Sequence, residues 1–280
     1  MRNYIARFVS SLSAMVLAIV LVLFTLAPTP IAAPFHASPP TPPIGAVNSS
    51  TQFERSLVVD LMRATVRVQR PDSGIGTGEF LFASESEVDH MNHLFILTCA
   101  HVMKGNMVAT VEQNIYERSR DATIQIHYHS DLVGLNEGQD LALLEIRSPL
   151  AFPVPVVALA SEEEVQAASL LEPVVAIGCG GGNPAIPTFG QIVDFDFNGF
   201  YRINAPITFG NSGGGIYLTS GHLIGICARF TDRNATPHMP AIIPSTVIRT
   251  WLLSGPYSFV AGDTKTNLDQ LLKDRKKAYK

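Results

Sequence analysis

The stretch Gly210-Asn211-Ser212-Gly213-Gly214 is the strongest structural signal in this chain, because it places glycines on both sides of a serine. A serine hydroxyl is a poor nucleophile near neutral pH, so catalysis needs an adjacent base and a third group that fixes the tautomer of that base. Glycines adopt backbone conformations closed to other residues, which lets the N–H groups of Gly210 and Ser212 aim at one oxygen. The stretch therefore predicts a nucleophile beside an oxyanion hole.

Two earlier segments provide candidates for the base and its partner. The apolar run Leu94 to Thr98 predicts a buried strand that presents His101 just beyond its end. Asp140 directly precedes another apolar run, Leu141 to Ile146, which anchors its carboxylate beside the core. The chain order His, Asp, Ser is one of the known convergent orders of a catalytic triad. We therefore expect Ser212 to be the nucleophile, with the histidine as its base and the aspartate as the orienting group.

These motifs and their order resemble the trypsin-like serine proteases of chymotrypsin fold, and their HtrA (Deg) branch in particular. Asn211 stands directly before the serine, where that branch has Asn and digestive proteases have Asp. The resemblance covers roughly residues 52 to 253. Further segments that resemble parts of the family are Gly74–Leu81, Val174–Gly178, Leu223–Ile226 and Ile242–Ser245. It implies an all-β fold of two packed antiparallel six-stranded β-barrels with short terminal helices. The active site would lie in the cleft between the barrels.

The resemblance also implies which residues line the pocket for the substrate residue before the cut. They are Pro206, Phe209, Ile226 and Ala228. Pro206 occupies the position where trypsin-like specificity would place an acid, so a preference for Lys or Arg is disfavoured. We expect small or medium apolar side chains such as Val, Ala or Leu. Arg229 would attract acidic substrate residues if it faces the pocket, and a solvated Arg229 is the alternative.

Composition divides the chain into four parts. Residues 1–33 combine early arginines with an apolar stretch, as in a secretory signal peptide or an uncleaved signal anchor. Residues 34–49 are a proline-rich, semi-rigid linker, and residues 50–255 are the protease domain. Residues 256–280 are a charged tail, which suits either a short amphipathic helix or contact with a membrane surface. Both interpretations of the N-terminus place the protease domain outside the cytoplasm, either periplasmic, secreted or membrane-anchored.

The net charge and the motifs of the chain indicate which classes of substrate, metal or cofactor to expect. A net charge of −4 and a pI near 6.0 give no electrostatic footprint for nucleic acid, which requires a clustered basic face. Nucleic acid is therefore not an expected partner, whereas proteins and peptides are expected substrates. The sequence contains no HExxH and no paired CxxC, so we expect neither a metal site nor a cofactor. His127 and His129 lie in an alternating segment and are interpreted as exposed strand positions rather than metal ligands.

Three cysteines, Cys99, Cys179 and Cys227, make an odd set, so at most one internal disulfide can form. The family fold would place Cys179 and Cys227 near the functional side of the second barrel. A disulfide between them is one alternative, and three buried thiols are the favoured one. Cys99 lies two residues before His101 and would point away from that base, so it is not expected to act as a nucleophile.

Two other classes of function remain open. One is a catalytically silent or ligand-activated module that holds unfolded proteins or peptides, since the HtrA branch has chaperone-like activity. The other is an esterase of α/β-hydrolase fold, whose G-x-S-x-G motif matches this glycine-rich stretch. Chain order argues against the esterase, because its histidine comes last. HtrA proteins usually also carry PDZ domains, for which the segment after Leu253 is too short. PDZ-based capture and an oligomeric state are therefore not carried over.

Overall fold

The computed structural model of the chain describes residues 52–116, 123–151, 154–195, 201–230, 240–262 and 266–278. The predicted signal or anchor segment and the proline-rich linker lie outside these residues. Among the helices that are described, none combines the length and the apolar character needed to span a membrane.

Six strands form the first closed antiparallel barrel, in the spatial order β1-β2-β3-β6-β5-β4. They are β1 (Thr65–Gln69), β2 (Ile75–Glu85), β3 (Asn92–Thr98), β4 (Val108–Tyr116), β5 (Thr123–Asn136) and β6 (Leu141–Ser148). Both apolar runs that the sequence singled out are strands of this barrel, and they pair with each other from Asn92↔Ser148 to Thr98↔Ala142. The register therefore brings the end of β3 beside the beginning of β6.

Six further strands close the second antiparallel barrel, in the order β10-β11-β12-β9-β8-β7. They are β7 (Pro173–Gly178), β8 (Ile186–Phe195), β9 (Tyr201–Ile203), β10 (Gly215–Tyr217), β11 (Leu223–Phe230) and β12 (Pro240–Pro244). Val175, Ile177 and Tyr217 of this barrel belong to the same continuous buried core as the first barrel. The predicted fold of two packed six-stranded barrels is confirmed.

Short helices fill the connections and the ends of the described chain. They are α1 (Arg55–Ala64), α2 (Ala100–Met103), α3 (Glu162–Ala167), α4 (Ser245–Leu253) and α5 (Leu268–Ala278), with 3-10 turns at Gly180–Gly182 and Ser258–Ala261. The Ser161 hydroxyl caps α3, accepting a hydrogen bond from the Glu164 N–H while the Glu164 carboxylate accepts one from the Ser161 N–H. The predicted short terminal helices are therefore present.

Both faces of β3 are covered, which explains why Leu94 to Leu97 are all apolar instead of alternating with polar residues. One face points into the barrel. On the other face, the Phe95 ring packs edge-on against Phe259 of the C-terminal 3-10 turn, with 5.5 Å between ring centroids. Helix α5 adds buried Leu268 and Leu272, and the Arg275 guanidinium donates to the Glu145 carboxylate at 2.8 Å. Residues that looked like a charged tail thus pack on the first barrel.

Candidate active site

His101 and Asp140 are joined by two hydrogen bonds, and a third joins Asp140 to the residue before the histidine. The Nδ1–H of the imidazole donates to Oδ2 of Asp140 at 2.7 Å, and the backbone N–H of His101 donates to Oδ1 at 2.9 Å. The N–H of Ala100 donates to the Asp140 carbonyl at 3.1 Å. With Nδ1 protonated and held by the carboxylate, Nε2 is the unprotonated, basic nitrogen of the ring. The histidine side chain remains 37% exposed, so that nitrogen is accessible.

Ser212 lies in a tight loop between β9 and β10. The N–H of Gly213 donates to the Cys227 carbonyl at 2.7 Å, and the N–H of Gly214 donates to the Asn211 carbonyl at 2.8 Å. Gly213 has φ +86°, and a β-carbon there would lie 2.1 Å from the Thr77 carbonyl oxygen, so this position requires glycine. The local glycine pattern therefore allows the loop to press against the first barrel.

Thr77 of β2 holds this loop from the first barrel. Its N–H donates to the Ser212 carbonyl at 2.8 Å, and its hydroxyl donates to the Gly210 carbonyl at 2.6 Å. The same hydroxyl accepts a hydrogen bond from the N–H of Cys179 at 2.8 Å. Sequence reasoning did not assign Thr77 to the site, although the Gly-Ile-Gly-Thr-Gly run that contains it was noted as family-like. A threonine between glycines was the available signal.

The segment before His101 contacts the same group of residues. The Thr98 hydroxyl donates to the Thr77 carbonyl at 2.6 Å, and the Cys99 thiol donates to the Cys227 carbonyl at 3.3 Å. The end of β3 and the Ser212 loop therefore meet where the two barrels join. In the described part of the chain, the serine hydroxyl donates to the Ala228 carbonyl at 3.4 Å and has no hydrogen bond to the imidazole. Such bonds are often long or misaligned before substrate binds.

The backbone N–H groups of Gly210 and Ser212 have no acceptor in the part of the chain that the structure describes. The Phe209 carbonyl accepts a hydrogen bond from the N–H of Gly181 at 2.7 Å. Because C=O and N–H point in opposite directions across a trans peptide, the Gly210 N–H faces away from Gly181. Within the described residues, neither this N–H nor that of Ser212 donates a hydrogen bond, whereas the Asn211 N–H between them donates to Thr208. These are the two donors that the sequence predicted for an oxyanion hole.

Comparison with known proteins gives the family. Residues 76–226, more than half of the chain, match the model of the trypsin-like peptidase domain. The chain belongs to this family.

Curated relatives of this trypsin-like peptidase domain include two proteins named magnetosome formation protease MamE. The one from Magnetospirillum gryphiswaldense is 26% identical over 172 residues, which cover 58% of this chain and 21% of MamE. The one from Paramagnetospirillum magneticum is also 26% identical over 172 residues, covering 58% and 22%. The chain thus spans about a fifth of the length of these relatives.

Solved structures agree with the trypsin-like fold. An inactive mutant form of Rv3671c from M. tuberculosis has a TM-score of 0.53 and 18% identity, covering 75% of this chain and 92% of that one. A serine endoprotease from Yersinia pestis has a TM-score of 0.53 and 23% identity, covering 75% and 68%. At these identities the likeness concerns the fold alone.

The predicted pocket residues occupy different environments in this trypsin-like domain. Pro206 is exposed, and Phe209, next to Gly210, is 83% exposed. Ile226 is fully buried in the core, and Ala228 is buried with its carbonyl at the Ser212 hydroxyl. The side chain of Arg229 lies outside the described set.

Cys99, Cys179 and Cys227 are buried thiols that form no disulfide with one another, so the favoured expectation is confirmed and the Cys179–Cys227 disulfide is not formed. Burial raises the pKa of Cys179 and of Cys227 to about 12 in each case, which makes both thiols poor nucleophiles. Both cysteines are buried because of their places in the second barrel: Cys179 directly follows β7, and Cys227 lies within β11.

One group of side chains in the trypsin-like domain has the spacing of a metal site. Ligand atoms of Cys99, His101 and Asp140 lie within 4.8 Å of one another. The expectation that the Cys99 thiol points away from His101 is therefore wrong, because the thiol donates to the Cys227 carbonyl beside the histidine. Nδ1 of the histidine is already bonded to the carboxylate, and the thiol donates to a carbonyl, so a metal would have to replace both hydrogen bonds. The donor set suits proton transfer better than coordination. His127 and His129, with side chains 57% and 71% exposed, are solvent-facing positions of β5 as expected.

Proposed function

We propose that this domain is a serine endopeptidase of the HtrA/Deg-like type, with Ser212, His101 and Asp140 as its catalytic residues. The observation that carries the proposal is the pair of hydrogen bonds from the backbone N–H and the ring Nδ1–H of His101 to the Asp140 carboxylate. These bonds leave Nε2 as the basic nitrogen of the ring. That pair of residues stands at the barrel junction beside Ser212. Among the residues that the structure describes, the N–H groups of Gly210 and Ser212 donate no hydrogen bond. Geometry of this kind supplies a base, a nucleophile and an electrostatic site together.

In this mechanism the Ser212 hydroxyl turns from the Ala228 carbonyl toward Nε2 of His101 and attacks the peptide carbonyl. The proton passes to the imidazole, and Asp140 stabilises the imidazolium. The imidazolium then donates this proton to the leaving amine, which departs as the C–N bond breaks. Water, activated by the same imidazole, cleaves the resulting acyl-enzyme ester and restores the serine.

The N–H groups of Gly210 and Ser212 would bind the oxyanion of each tetrahedral intermediate. A preorganised donor of this kind contributes about 10²–10³ in rate in comparable sites. The hydrogen bond from Gly181 to the Phe209 carbonyl supports this role, because it keeps the Gly210 N–H turned outward before substrate arrives. The donors are thus oriented without reorganisation during the reaction.

The proposed substrates are unfolded proteins or peptides outside the cytoplasm, cut after small or medium apolar residues. The signal-like N-terminal pattern and the naming of both curated relatives as proteases support this assignment. Buried Ala228 at the nucleophile and exposed Phe209 beside it supply apolar rather than acidic surroundings. A peptide-library digest dominated by cuts after Arg or Lys would contradict this specificity.

A ligand-activated binding module is the second candidate. The observation that favours it is the hydrogen bond of the Ser212 hydroxyl to the Ala228 carbonyl instead of to His101. In such a module the serine would stay in this orientation until a bound peptide moved it. Reaction of the ligand-free protein with a fluorophosphonate separates the two, because only a competent serine reacts.

The direct test is digestion of reduced, unfolded casein by the purified full chain. We expect the wild type to produce new N-termini and Ser212→Ala to produce none, while both show the same circular dichroism spectrum. Ser84→Ala, at an exposed position of β2, is the matched control and should behave as the wild type. Equal cleavage by the wild type and by Ser212→Ala would overturn the proposal.

A further inference from the structure

A buried carboxyl group joins the two barrels just beyond the Ser212 loop. Glu79 of β2 is fully buried and lies two residues after Thr77, on the same face of the strand. Its Oε1 accepts a hydrogen bond from the Gly215 N–H at 2.6 Å, and its Oε2 lies 2.7 Å from the Tyr217 hydroxyl. Both partners belong to β10, so this one side chain connects the first barrel to the strand that follows Ser212.

No basic side chain neutralises this carboxyl group among the described residues. Arg67 of β1, the nearest basic group along the neighbouring strand, forms its ion pair with Glu112 and donates to the Gly182 carbonyl instead. The titratable groups facing the carboxyl are the Tyr217 phenol and the Cys179 thiol. Burial without a counter-ion penalises the carboxylate, and it raises the pKa of Glu79 to about 8 although three hydrogen bonds oppose the shift.

The Glu79 carboxyl can gain or lose its proton while Thr65 and Gly215 remain hydrogen-bonded to it. The Thr65 hydroxyl lies 2.9 Å from Oε2 and 2.9 Å from the Leu61 carbonyl, and it has one proton to donate. When Glu79 is neutral, its O–H donates to Thr65, and Thr65 donates to the Leu61 carbonyl. When Glu79 is ionised, Thr65 turns and donates to the carboxylate. The Gly215 N–H keeps its acceptor in both states.

A displacement of Gly215 would also move Ser212, which lies only three residues earlier in the chain. The N–H of Gly214 is tied to the Asn211 carbonyl, and the N–H of Gly213 to the Cys227 carbonyl, so the loop is a single hydrogen-bonded unit. We propose that Glu79, as the neutral acid, is a positioning residue that fixes β10 and thereby the Ser212 loop against the first barrel. This inference rests on the proposed function of Ser212.

Ionisation of Glu79 would place a charge between the barrels that its three hydrogen bonds do not fully compensate. Water drawn in to solvate this charge would compete for the Gly215 N–H and so loosen the contact of β10 with β2. Activity should therefore fall as the pH rises above about 8. A requirement for a general base alone produces no decline of activity on the alkaline side, so such a decline is the signature of a second group.

Glu79→Gln tests this role, because the amide keeps an acceptor for Gly215 and supplies donors for Thr65 and Tyr217 but does not titrate. The Tyr217 hydroxyl, which donates to Glu79, would accept from the amide in this variant. The measured quantity is the ratio of kcat at pH 9.5 to kcat at pH 7 on a fixed peptide substrate. We expect this ratio to be about 0.1 or less in the wild type, since the active protonated fraction falls about tenfold per pH unit. The ratio should be near one in Glu79→Gln. Glu85→Gln, an exposed glutamate of the same strand, should match the wild type.

A second measurement does not depend on catalysis. Because the folded protein holds the Glu79 proton more tightly than the unfolded chain, this group's stabilisation is complete below its unfolded pKa and is lost as the pH rises through about 8. The free energy of unfolding in urea should fall from pH 5 to pH 9 more steeply in the wild type than in Glu79→Gln.

The two measurements separate the possible failures. If the free energy of unfolding changed equally with pH in the wild type and in Glu79→Gln, the claim that Glu79 is a neutral acid in the folded protein would be refuted, even if the protein were a protease. Different unfolding slopes with identical alkaline activity profiles would overturn the positioning role. A wild type that neither cleaves peptides nor reacts with fluorophosphonate at any pH would refute the proposed function, and with it the positioning role.

Discussion

Asp140 determines the state of His101 with both of its carboxylate oxygens. Oδ2 accepts a hydrogen bond from Nδ1–H of the ring and Oδ1 accepts one from the backbone N–H of the same residue. Asp140 itself has φ +57°, in the left-handed region that aspartate tolerates better than most residues. One side chain therefore sets the position of the histidine and the tautomer of its ring.

Asp140→Asn should reverse that tautomer. The backbone N–H of His101 requires the amide oxygen, which leaves the amide NH₂ facing Nδ1 and moves the ring proton to Nε2, the nitrogen that must accept from Ser212. We expect kcat to fall about 10⁴-fold, as in the comparable substitution in another triad, with KM changed only a few-fold. Asp131→Asn, at a partly exposed aspartate of β5, is the control for steady-state kinetics. A decrease of less than tenfold would contradict this role.

At the scale of elements, the 3-10 turn that orients the proposed oxyanion donor, the Gly210 N–H, is bonded to the first barrel. The Arg67 guanidinium of β1 donates to the Gly182 carbonyl, and the neighbouring Gly181 N–H donates to the Phe209 carbonyl. Arg67 in turn forms an ion pair with buried Glu112 of β4. The 3-10 turn Gly180–Gly182 thus links Arg67 of the first barrel to the Phe209 carbonyl and so fixes the orientation of the peptide between Phe209 and Gly210.

Arg67→Met combined with Glu112→Gln should lower kcat with little change in KM. The paired substitution avoids leaving the Glu112 charge buried alone, which would destabilise the fold by about 3–5 kcal/mol. Without the guanidinium, the turn is free to move and the Gly210 N–H is oriented only part of the time. Since a lost oxyanion donor costs about 10²–10³ in rate, we expect a decrease of at least about tenfold.

Glu112→Gln alone keeps the hydrogen bond from Arg67 to Gly182 and is the matched control for this double variant. Its kcat should stay within about threefold of the wild type, and thermal melting monitored by circular dichroism should show that both proteins are folded. A double variant with wild-type kcat would show that Arg67 does not orient the site.

Local sequence predicted the strands and the three proposed catalytic residues, because each lies next to a distinctive pattern. The apolar runs of β3 and β6 end or begin beside His101 and Asp140, and glycines surround Ser212. Thr77 and Glu79 were not predicted as site residues. Their partners Gly210 and Gly215 lie 133 and 136 positions away, and only the packing of two complete barrels brings them into contact.

At the scale of the whole molecule, helix α5 is fastened to the first barrel by a buried polar cluster. Arg275 donates to Glu145, whose other oxygen is 2.7 Å from Nδ1 of fully buried His93, and Asp89 contacts the second ring nitrogen. Burial lowers the pKa of His93, but the bonds to both carboxylates outweigh it and raise that pKa. Burial raises the pKa of Glu145, and the bonds to His93 and Arg275 outweigh it and lower that pKa.

The pH window of this cluster follows from these shifts. The stabilisation from His93 is complete below its unfolded pKa of about 6.5 and is lost as the pH rises through its higher folded pKa. The stabilisation from Glu145 is present above its unfolded pKa of about 4.5 and is lost as the pH falls through its lower folded pKa. The cluster therefore stabilises the fold most near pH 5 to 6.5.

Arg275→Met should detach α5 and lower the free energy of unfolding by about 2 kcal/mol at pH 6, since hydrogen bonds to charged groups contribute about 1.5–3 kcal/mol. Lys277→Met, on the exposed side of the same helix, is the control and should change stability by less than about 0.5 kcal/mol. Urea unfolding at equilibrium measures both. Equal effects of the two substitutions would show that the helix is not fastened through Glu145.

The most direct test of the proposed triad is to identify the residue that a fluorophosphonate modifies. The full chain would be treated with the probe, digested, and analysed by mass spectrometry. We expect a single adduct on Ser212 that forms in the wild type and slows by several orders of magnitude in His101→Ala, because the hydroxyl then lacks its base. An unmodified Ser212 in folded wild-type protein, or labelling that does not change when His101 is removed, would contradict the account.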